Sequence, residues 1–225
     1  MANYLKNNKS ILFVLTVFAG LVIAAPVITE TVFRFDKEFL KKAEEKCGKE
    51  APARFTAWEE LIHNDKSPSD REKLKKVNHF YNSRIRFVSD LELWGVQDYW
   101  ATPIEFLCKN AGDCEDFAIA KYFTLKAMGV AEERLNITYV KAIQYNIAHM
   151  VLTYYSEPGA EPLVLDNLID SIDPASKRTD LMPVFSFNGS GLWTAKQRGQ
   201  GKSAGGSDRL RPWQGLLQKM SENKL

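Results

Sequence analysis

The chain has 225 residues, of which 45% are hydrophobic and 12% aromatic, and this composition predicts a globular protein with a packed core. Its length allows one sizeable domain. Thirty basic and 28 acidic residues leave a net charge of only +2, and the lysines are interspersed with acids. Because phosphate binding requires a concentrated basic surface, we expect no nucleic acid partner.

The N-terminus has the layout of a secretory signal. Lys6 and Lys9 precede an uninterrupted run of apolar or small residues over positions 11–25. This run is about 15 residues long, whereas a helix that spans a bilayer needs about 20. Residues 1–25 are therefore predicted to be a cleaved signal peptide, with a retained N-terminal membrane anchor as the alternative. Residues 30–225 are predicted to form one domain.

The chain contains three cysteines, an odd number, so at least one thiol has no partner within the chain. Cys47 and Cys108 could form a disulfide in an oxidising compartment, although the sequence does not show whether their geometry allows it. If they do, Cys114 is the free thiol.

Apolar residues at helical spacing predict packing helices in the first part of the domain. Ser69 followed by Glu72 is a capping-box pattern that predicts the start of one of them. Residues 94–106 contain glycine, proline and several aromatics and are predicted to be an ordered loop. The stretch 113–128 is almost entirely apolar or small and ends at Gly129, which predicts a central buried helix.

The later part of the chain has a β-rich pattern. Residues 136–143, 148–155 and 163–168 are rich in Ile, Val, Thr and Tyr and predict strands, with turn residues at 157–160. Helices followed by an antiparallel sheet indicate an α+β fold. Residues 189–206 include six glycines and predict a mobile surface loop before a final helix.

Cys114 lies in the first turn of the predicted central helix. Backbone N–H groups there lack helical partners and the helix dipole favours negative charge, so the position stabilises a thiolate and predicts a nucleophile. Asp113 would cap the helix. The alternative is that Cys114 is only a small buried apolar side chain.

His149 begins one predicted strand and Asp166 lies in the next. If the hairpin folds about its turn at 157–160, the two side chains face each other directly, with Cβ atoms roughly 5 Å apart. Together with Cys114 they would supply a nucleophile, a base and a residue that orients the base, as acyl-transfer enzymes require. A purely structural histidine is the alternative.

Four runs of the sequence resemble the bacterial transglutaminase-like cysteine proteinases: Asp98–Leu107, Gly112–Tyr122, Ala148–Leu152 and Leu165–Asn167. The likeness covers most of the chain after the signal and is most specific around the cysteine. It implies a papain/transglutaminase-like α+β fold, in which a buried helix with the nucleophile packs on an antiparallel sheet with the base. It assigns Cys114, His149 and Asp166 as the triad of a cysteine protease.

The resemblance also implies that Asp113 and Glu115 bind Ca²⁺ beside the nucleophile, and Asp116 is a further candidate ligand. A physical argument points the same way, because three carboxylates around a cysteine raise the pKa of its thiol and disfavour the thiolate. A hard cation held by carboxylate oxygens would remove this conflict. Solvated helix-capping acids are the alternative.

Trp100 lies in the segment that leads to the catalytic helix. We consider its indole N–H a candidate second donor to the oxyanion, beside the backbone N–H of Cys114. A buried core tryptophan is the alternative.

The family resemblance further implies a setting and a substrate. It implies a periplasmic protease that cuts a large cell-surface adhesin near its N-terminus at a di-alanine site and so controls biofilm attachment and release. An inner-membrane cyclic-di-GMP receptor of the LapD type would be the partner that sequesters the protease.

Three other functions are compatible with parts of this pattern. A transglutaminase or other amidotransferase would use the same triad, with an amine in place of water. A non-catalytic periplasmic binding module could keep the fold, although the intact triad disfavours it. A zinc site built from Cys108, Cys114 and His149 is disfavoured because the usual close-spaced ligand pairs are absent from the sequence.

Overall fold

The computed structural model of the protein describes residues 33–194 and 201–222. The predicted signal peptide or anchor over residues 1–25 lies outside these ranges. Within them, no helix combines the length and the apolar character that crossing a membrane would require.

The described residues contain seven α-helices: α1 (Lys37–Cys47), α2 (Ala51–His63), α3 (Asp70–Arg84), α4 (Asp90–Trp94), α5 (Pro103–Lys109), α6 (Cys114–Ala127) and α7 (Arg211–Glu222). Two short strands pair in parallel: β1 (Arg86–Phe87) and β2 (Ala111–Gly112). The remaining strands are β3 (Leu135–Ala142), β4 (Ile147–Tyr154), β5 (Leu163–Leu165), β6 (Asp173–Pro174), β7 (Leu181–Phe187), β8 (Leu192–Thr194) and β9 (Ser203–Gly205). These seven form one antiparallel sheet in the order β6-β5-β4-β3-β7-β8-β9, which confirms the α+β fold.

Helix α6 is the central buried helix that the sequence predicts. Its Ile119 and Leu125 are fully buried, and the helix packs against β4 and β3 of the sheet. Met150 and Leu152, on the face of β4 that the helix covers, belong to the same apolar core. The core therefore fixes the start of α6 close to the start of β4.

The segment 94–106 is more regular than predicted. It contains the end of α4 and the start of α5, where Thr102 and Glu105 form a reciprocal capping box and Pro103 is the first helical residue. Helices this short give almost no periodic apolar signal, so only their caps identify them.

Two further differences concern the sheet. The sequence predicted a mobile loop over residues 189–206, but its described parts include strand β8 and the edge strand β9, which pair through the backbone. β7 was not predicted because Pro183 interrupts its pattern. The proline is accommodated at an irregularity, where the register with β3 shifts between Tyr139 and Val140.

Cys47 at the end of α1 and Cys108 in α5 form a disulfide, with their Cα atoms 5.0 Å apart. The geometry that the sequence left open is therefore allowed. The bond joins residues separated by 61 positions and leaves Cys114 as the free thiol.

Removing this disulfide should destabilise the fold. We expect Cys47→Ser to lower the free energy of unfolding by about 4 kcal/mol, because the bond restricts a long loop in the unfolded chain. Denaturant unfolding followed by circular dichroism measures the change. Cys108→Ser should lower the stability by the same amount, and the double variant should lower it no further, because each of the three variants loses the same single disulfide. Wild-type stability in the single variants would contradict this expectation.

Gly112, the last residue of β2, lies where no side chain fits. A Cβ atom at this position would be 2.3 Å from Oδ2 of Asp116 and 2.7 Å from the ring of Phe106. This close approach allows β2 to lead directly into α6, which determines where Asp113 and Cys114 lie.

Gly112→Ala should therefore cost about 1–3 kcal/mol of stability by overpacking and should displace the first turn of α6. Thermal unfolding measures the stability, and proteolytic activity reports the displacement. Gly215→Ala in α7 is the matched control, because nothing lies within 4 Å of a Cβ atom there. In a helix interior that change is expected to stabilise by about 0.5–1 kcal/mol. A Gly112→Ala protein as stable and active as the wild type would show that the contact is not restrictive.

Candidate active site

The thiol of Cys114 lies at the first residue of α6 and is partly exposed. Asp113 precedes it in an extended conformation as the N-cap, and its backbone N–H donates to Oδ2 of Asp116 at 3.3 Å. The sulfur donates to Oε2 of Glu115 at 3.1 Å. The backbone N–H of Met150 also contacts the sulfur and stabilises the thiolate. The structure thus brings the predicted nucleophile to the strand residue next to His149.

His149 and Asp166 meet as predicted, but through a different register. β4 and β5 pair Leu152 with Leu165 and Thr153 with Val164, which places Asp166 two positions away from direct opposition to His149. A shift of two residues keeps both side chains on the same face of the sheet. The diagonal pair is joined by a hydrogen bond of 2.8 Å between Nε2 of His149 and Oδ1 of Asp166.

Arg178 completes the environment of the Asp166 carboxylate. Its Nη2 donates to Oδ2 of Asp166 at 2.6 Å, and the backbone N–H of Leu168 donates to Oδ1 at 3.0 Å. Burial alone would raise the pKa of Asp166, but His149 and Arg178 hold it well below its usual range. The carboxylate is therefore ionised and can only accept, so the proton lies on Nε2 of His149 and Nδ1 remains available as a base.

Side chains from two helices also hold the main chain at Asp166. Nζ of Lys121 in α6 donates to the Asp166 carbonyl at 3.1 Å, and Nδ2 of Asn82 in α3 donates to the same oxygen at 2.8 Å. Burial lowers the pKa of Lys121 to about 7, against the attraction of Asp166. A lysine inside an otherwise apolar helix was a sequence signal that could have identified this contact. Arg178 offered no comparable signal.

The structure gathers more acids around the thiol than the sequence suggested. Asp113, Glu115 and Asp116 were predicted there, and the structure adds Asp90 from α4 and Asp98 from the following loop. Ligand oxygens of Asp90, Asp98 and Glu115 lie within 4.8 Å of one another, and so do those of Asp90, Asp113 and Asp116. We call these five residues the acid cluster. None of them forms an ion pair with a lysine or arginine in the described part of the chain.

Burial and mutual repulsion perturb the acid cluster strongly. Burial raises the pKa of Glu115 to about 10, and the neighbouring Asp113 reinforces the shift. Burial also raises the pKa of Asp90 to about 6. The pKa of the Cys114 thiol is raised well above its usual value by burial and then by the neighbouring carboxyl groups of Glu115 and Asp113. These surroundings therefore favour the protonated thiol of Cys114 over the thiolate.

The donor set of the cluster fits a hard divalent cation. Oδ1 of Asp90 and Oδ1 of Asp113 are buried and have no hydrogen-bond partner among the described residues. Carboxylate oxygens without nitrogen ligands suit Ca²⁺. Asp116 differs from the others, because its two oxygens already accept from the backbone N–H groups of Ala101, at 2.8 Å, and Asp113. Through the bond from Ala101, Asp116 holds the loop before α5 against α6.

Trp100 is neither a fully buried core residue nor free to bind an oxyanion in this structure. Its ring stacks on Phe187 with centroids 5.6 Å apart, and its indole N–H donates to Oδ1 of Asp98 at 3.0 Å. The indole therefore supports the acid cluster. A role in the oxyanion hole stays a prediction that would require this bond to break.

The comparisons with known proteins agree with this geometry. Residues 35–185 match the family model described as bacterial transglutaminase-like cysteine proteinase BTLCP. The solved structure of LapG from Legionella pneumophila is 43% identical, with a TM-score of 0.70, over 81% of this chain and 96% of that one. Its calcium-bound form is 43% identical, with a TM-score of 0.70, over 81% of this chain and 98% of that one.

An EGTA-treated form of the same Legionella protein is 42% identical, with a TM-score of 0.69, over 81% of this chain and 96% of that one. No curated protein sequence matches the chain. A family model that covers most of the chain favours hydrolysis over the amidotransferase and binding-module alternatives. The chain therefore belongs to the bacterial transglutaminase-like cysteine proteinases, with their papain/transglutaminase-like fold, and is a cysteine protease.

Proposed function

We propose that the protein is a calcium-dependent periplasmic endopeptidase in which Cys114, His149 and Asp166 form the catalytic triad. The observation that carries the proposal is the free thiol at the start of α6, which lies against the residue next to a histidine already paired with a buried aspartate. In the reaction, the Cys114 thiolate attacks the scissile carbonyl. His149 transfers the proton to the leaving amine while Asp166 holds the imidazole orientation.

The resulting oxyanion lies at the backbone N–H of Cys114. This position at the first residue of α6 offers an N–H without a helical partner, in the field of the helix dipole. Water then resolves the acyl-enzyme, with His149 acting as the base in the second half of the reaction.

Asp90, Asp98, Asp113 and Glu115 are the residues that would hold Ca²⁺. When bound, the cation supplies positive charge that offsets the carboxylates around the thiol. Glu115 would have a double role, because it also accepts a hydrogen bond from the Cys114 thiol. If this carboxylate served as a calcium ligand, the thiol would be free to pair with His149. The calcium-bound Legionella LapG supports this proposal by similarity.

Similarity to LapG also supports the proposed substrate, a large surface adhesin cut near its N-terminus at a di-alanine site, with control of biofilm attachment as the result. An inner-membrane cyclic-di-GMP receptor of the LapD type would sequester the protease. The Cys47–Cys108 disulfide supports export, because such bonds persist in oxidising compartments. Export would rest on the segment 1–25 as signal peptide or anchor.

Loss of either reacting triad side chain should abolish proteolysis. The N-terminal region of an adhesin encoded beside this protein is the substrate, and a new N-terminus after a di-alanine site is the readout. We expect Cys114→Ala and His149→Ala to lower kcat/KM by at least about 10³-fold, and Asp166→Asn by a similar factor through misorientation of the imidazole. His79→Ala is the matched control, because His79 is exposed and lies outside the site. Full activity in folded Cys114→Ala protein would refute the triad.

Removal of calcium should silence the enzyme. Cleavage is expected to stop in excess EGTA and to return with Ca²⁺ but not with Mg²⁺, which demands a smaller octahedral site. Asp90→Asn and Glu115→Gln should weaken Ca²⁺ binding in isothermal titration, while Glu133→Gln, at an exposed position outside the cluster, should not. Undiminished cleavage in EGTA would show that the acids only stabilise the helix start.

A further inference from the structure

The C-terminal helix α7 lies beyond residue 185, where the match to the family model ends. Its Trp213 and Leu216 are fully buried. The Trp213 ring stacks on Phe123 of α6 with centroids 5.8 Å apart and meets Phe187 of β7 edge-on at 5.3 Å. Apolar packing therefore anchors one face of this helix against the core.

Lys219 on α7 makes three different contacts with one short region. Its Nζ donates to the carbonyl oxygen of Trp100 at 2.7 Å and to Oε2 of Glu105 at 3.2 Å. The same ammonium lies 3.8 Å from the centroid of the Tyr99 ring, within the range of a cation–π interaction. One third of the side chain is exposed, so these contacts are partly screened by solvent.

The region that Lys219 contacts, residues 98–102, is the loop that joins the acid cluster to α5. The backbone N–H of Tyr99 donates to Oδ2 of Asp90, and the N–H of Ala101 donates to Oδ1 of Asp116. Asp98, at the start of the loop, contributes its own carboxylate to the cluster. The position of this loop therefore determines the distances between Asp98 and the other acids.

Charge explains why a clamp is needed here. The acids of the cluster repel one another, and the loop that carries Asp98 is the part of the site without a helix or strand of its own. In the absence of a cation, this repulsion favours an outward movement of the loop. The bond to the Trp100 carbonyl opposes such a movement from the side of α7.

We propose that Lys219 is a positioning residue that clamps residues 98–102 and thereby preorganises Asp90 and Asp98 for calcium. The link to calcium rests on the proposed function, whereas the clamp on the loop does not. A loop that is already in place loses less conformational entropy when Ca²⁺ binds. Loss of the clamp should therefore weaken the affinity for Ca²⁺.

Lys219→Met is the informative variant. Methionine retains an apolar stem of similar length that can cover the Tyr99 ring, but it removes the donor to Trp100 and Glu105. Lys219→Arg retains the charge and can donate to both acceptors, so it should restore part of the effect. Lys75→Met is the matched control, because Lys75 is exposed on α3 and makes no ion pair or side-chain hydrogen bond within the described residues.

Two measurements test the proposal on the intact protein. Hydrogen–deuterium exchange of peptides that cover residues 98–106, in calcium-free buffer, should be about tenfold faster in Lys219→Met than in the wild type. Isothermal titration with CaCl₂ should give a dissociation constant raised about fivefold or more. Lys75→Met should match the wild type in both, and Lys219→Arg should lie between.

Unchanged exchange in Lys219→Met would overturn the clamp, even if calcium binding and proteolysis in the wild type are as proposed. Faster exchange with an unchanged dissociation constant would overturn the link to calcium. A wild-type protein that binds no Ca²⁺ would contradict both the proposed calcium dependence and that link, whereas the exchange result would still decide whether Lys219 holds the loop.

Discussion

Five carboxyl groups and one thiol share a small, largely buried volume at the start of α6, and the described residues place no lysine or arginine in an ion pair with any of those acids. The helix dipole favours negative charge there by only about 0.3–1 kcal/mol, too little to lower a pKa by even about one. Burial has the larger effect, as the pKa of about 10 for Glu115 shows. The helix start therefore positions the nucleophile but does not ionise it.

The other half of the site has the opposite electrostatic character. The Asp166 carboxylate is also buried, yet Arg178 and His149 compensate its charge and its pKa lies below the usual range. The carboxylate that accepts the hydrogen bond of His149 is thus ionised in the structure. The two halves of the site thus differ in charge compensation, and a cation could act only on the side of Cys114. This asymmetry gives a physical reason for the calcium dependence that we propose.

Much of this site was predictable because its signals are local in sequence. Cys114 at a helix start and His149 at a strand start each follow from the residues around them. The predicted register between β4 and β5 was wrong by two residues, because the turn before β5 can be centred at more than one position. The predicted contact between His149 and Asp166 was nevertheless correct, because a shift of two residues keeps both side chains on the same face of the sheet. Asp90 and Asp98 were missed because no spacing pattern in the sequence relates them to Cys114. They come close to it only through the fold of the connecting loop.

The central claim is that the acid cluster suppresses the thiolate of Cys114 until a cation compensates it. The rate of Cys114 alkylation by iodoacetamide at neutral pH tests this directly, because the thiolate is the reacting species and the two other cysteines are bonded to each other. The account predicts alkylation at least roughly tenfold faster in Ca²⁺ than in EGTA. Equal rates with and without Ca²⁺ in a protein shown to bind the ion would contradict it.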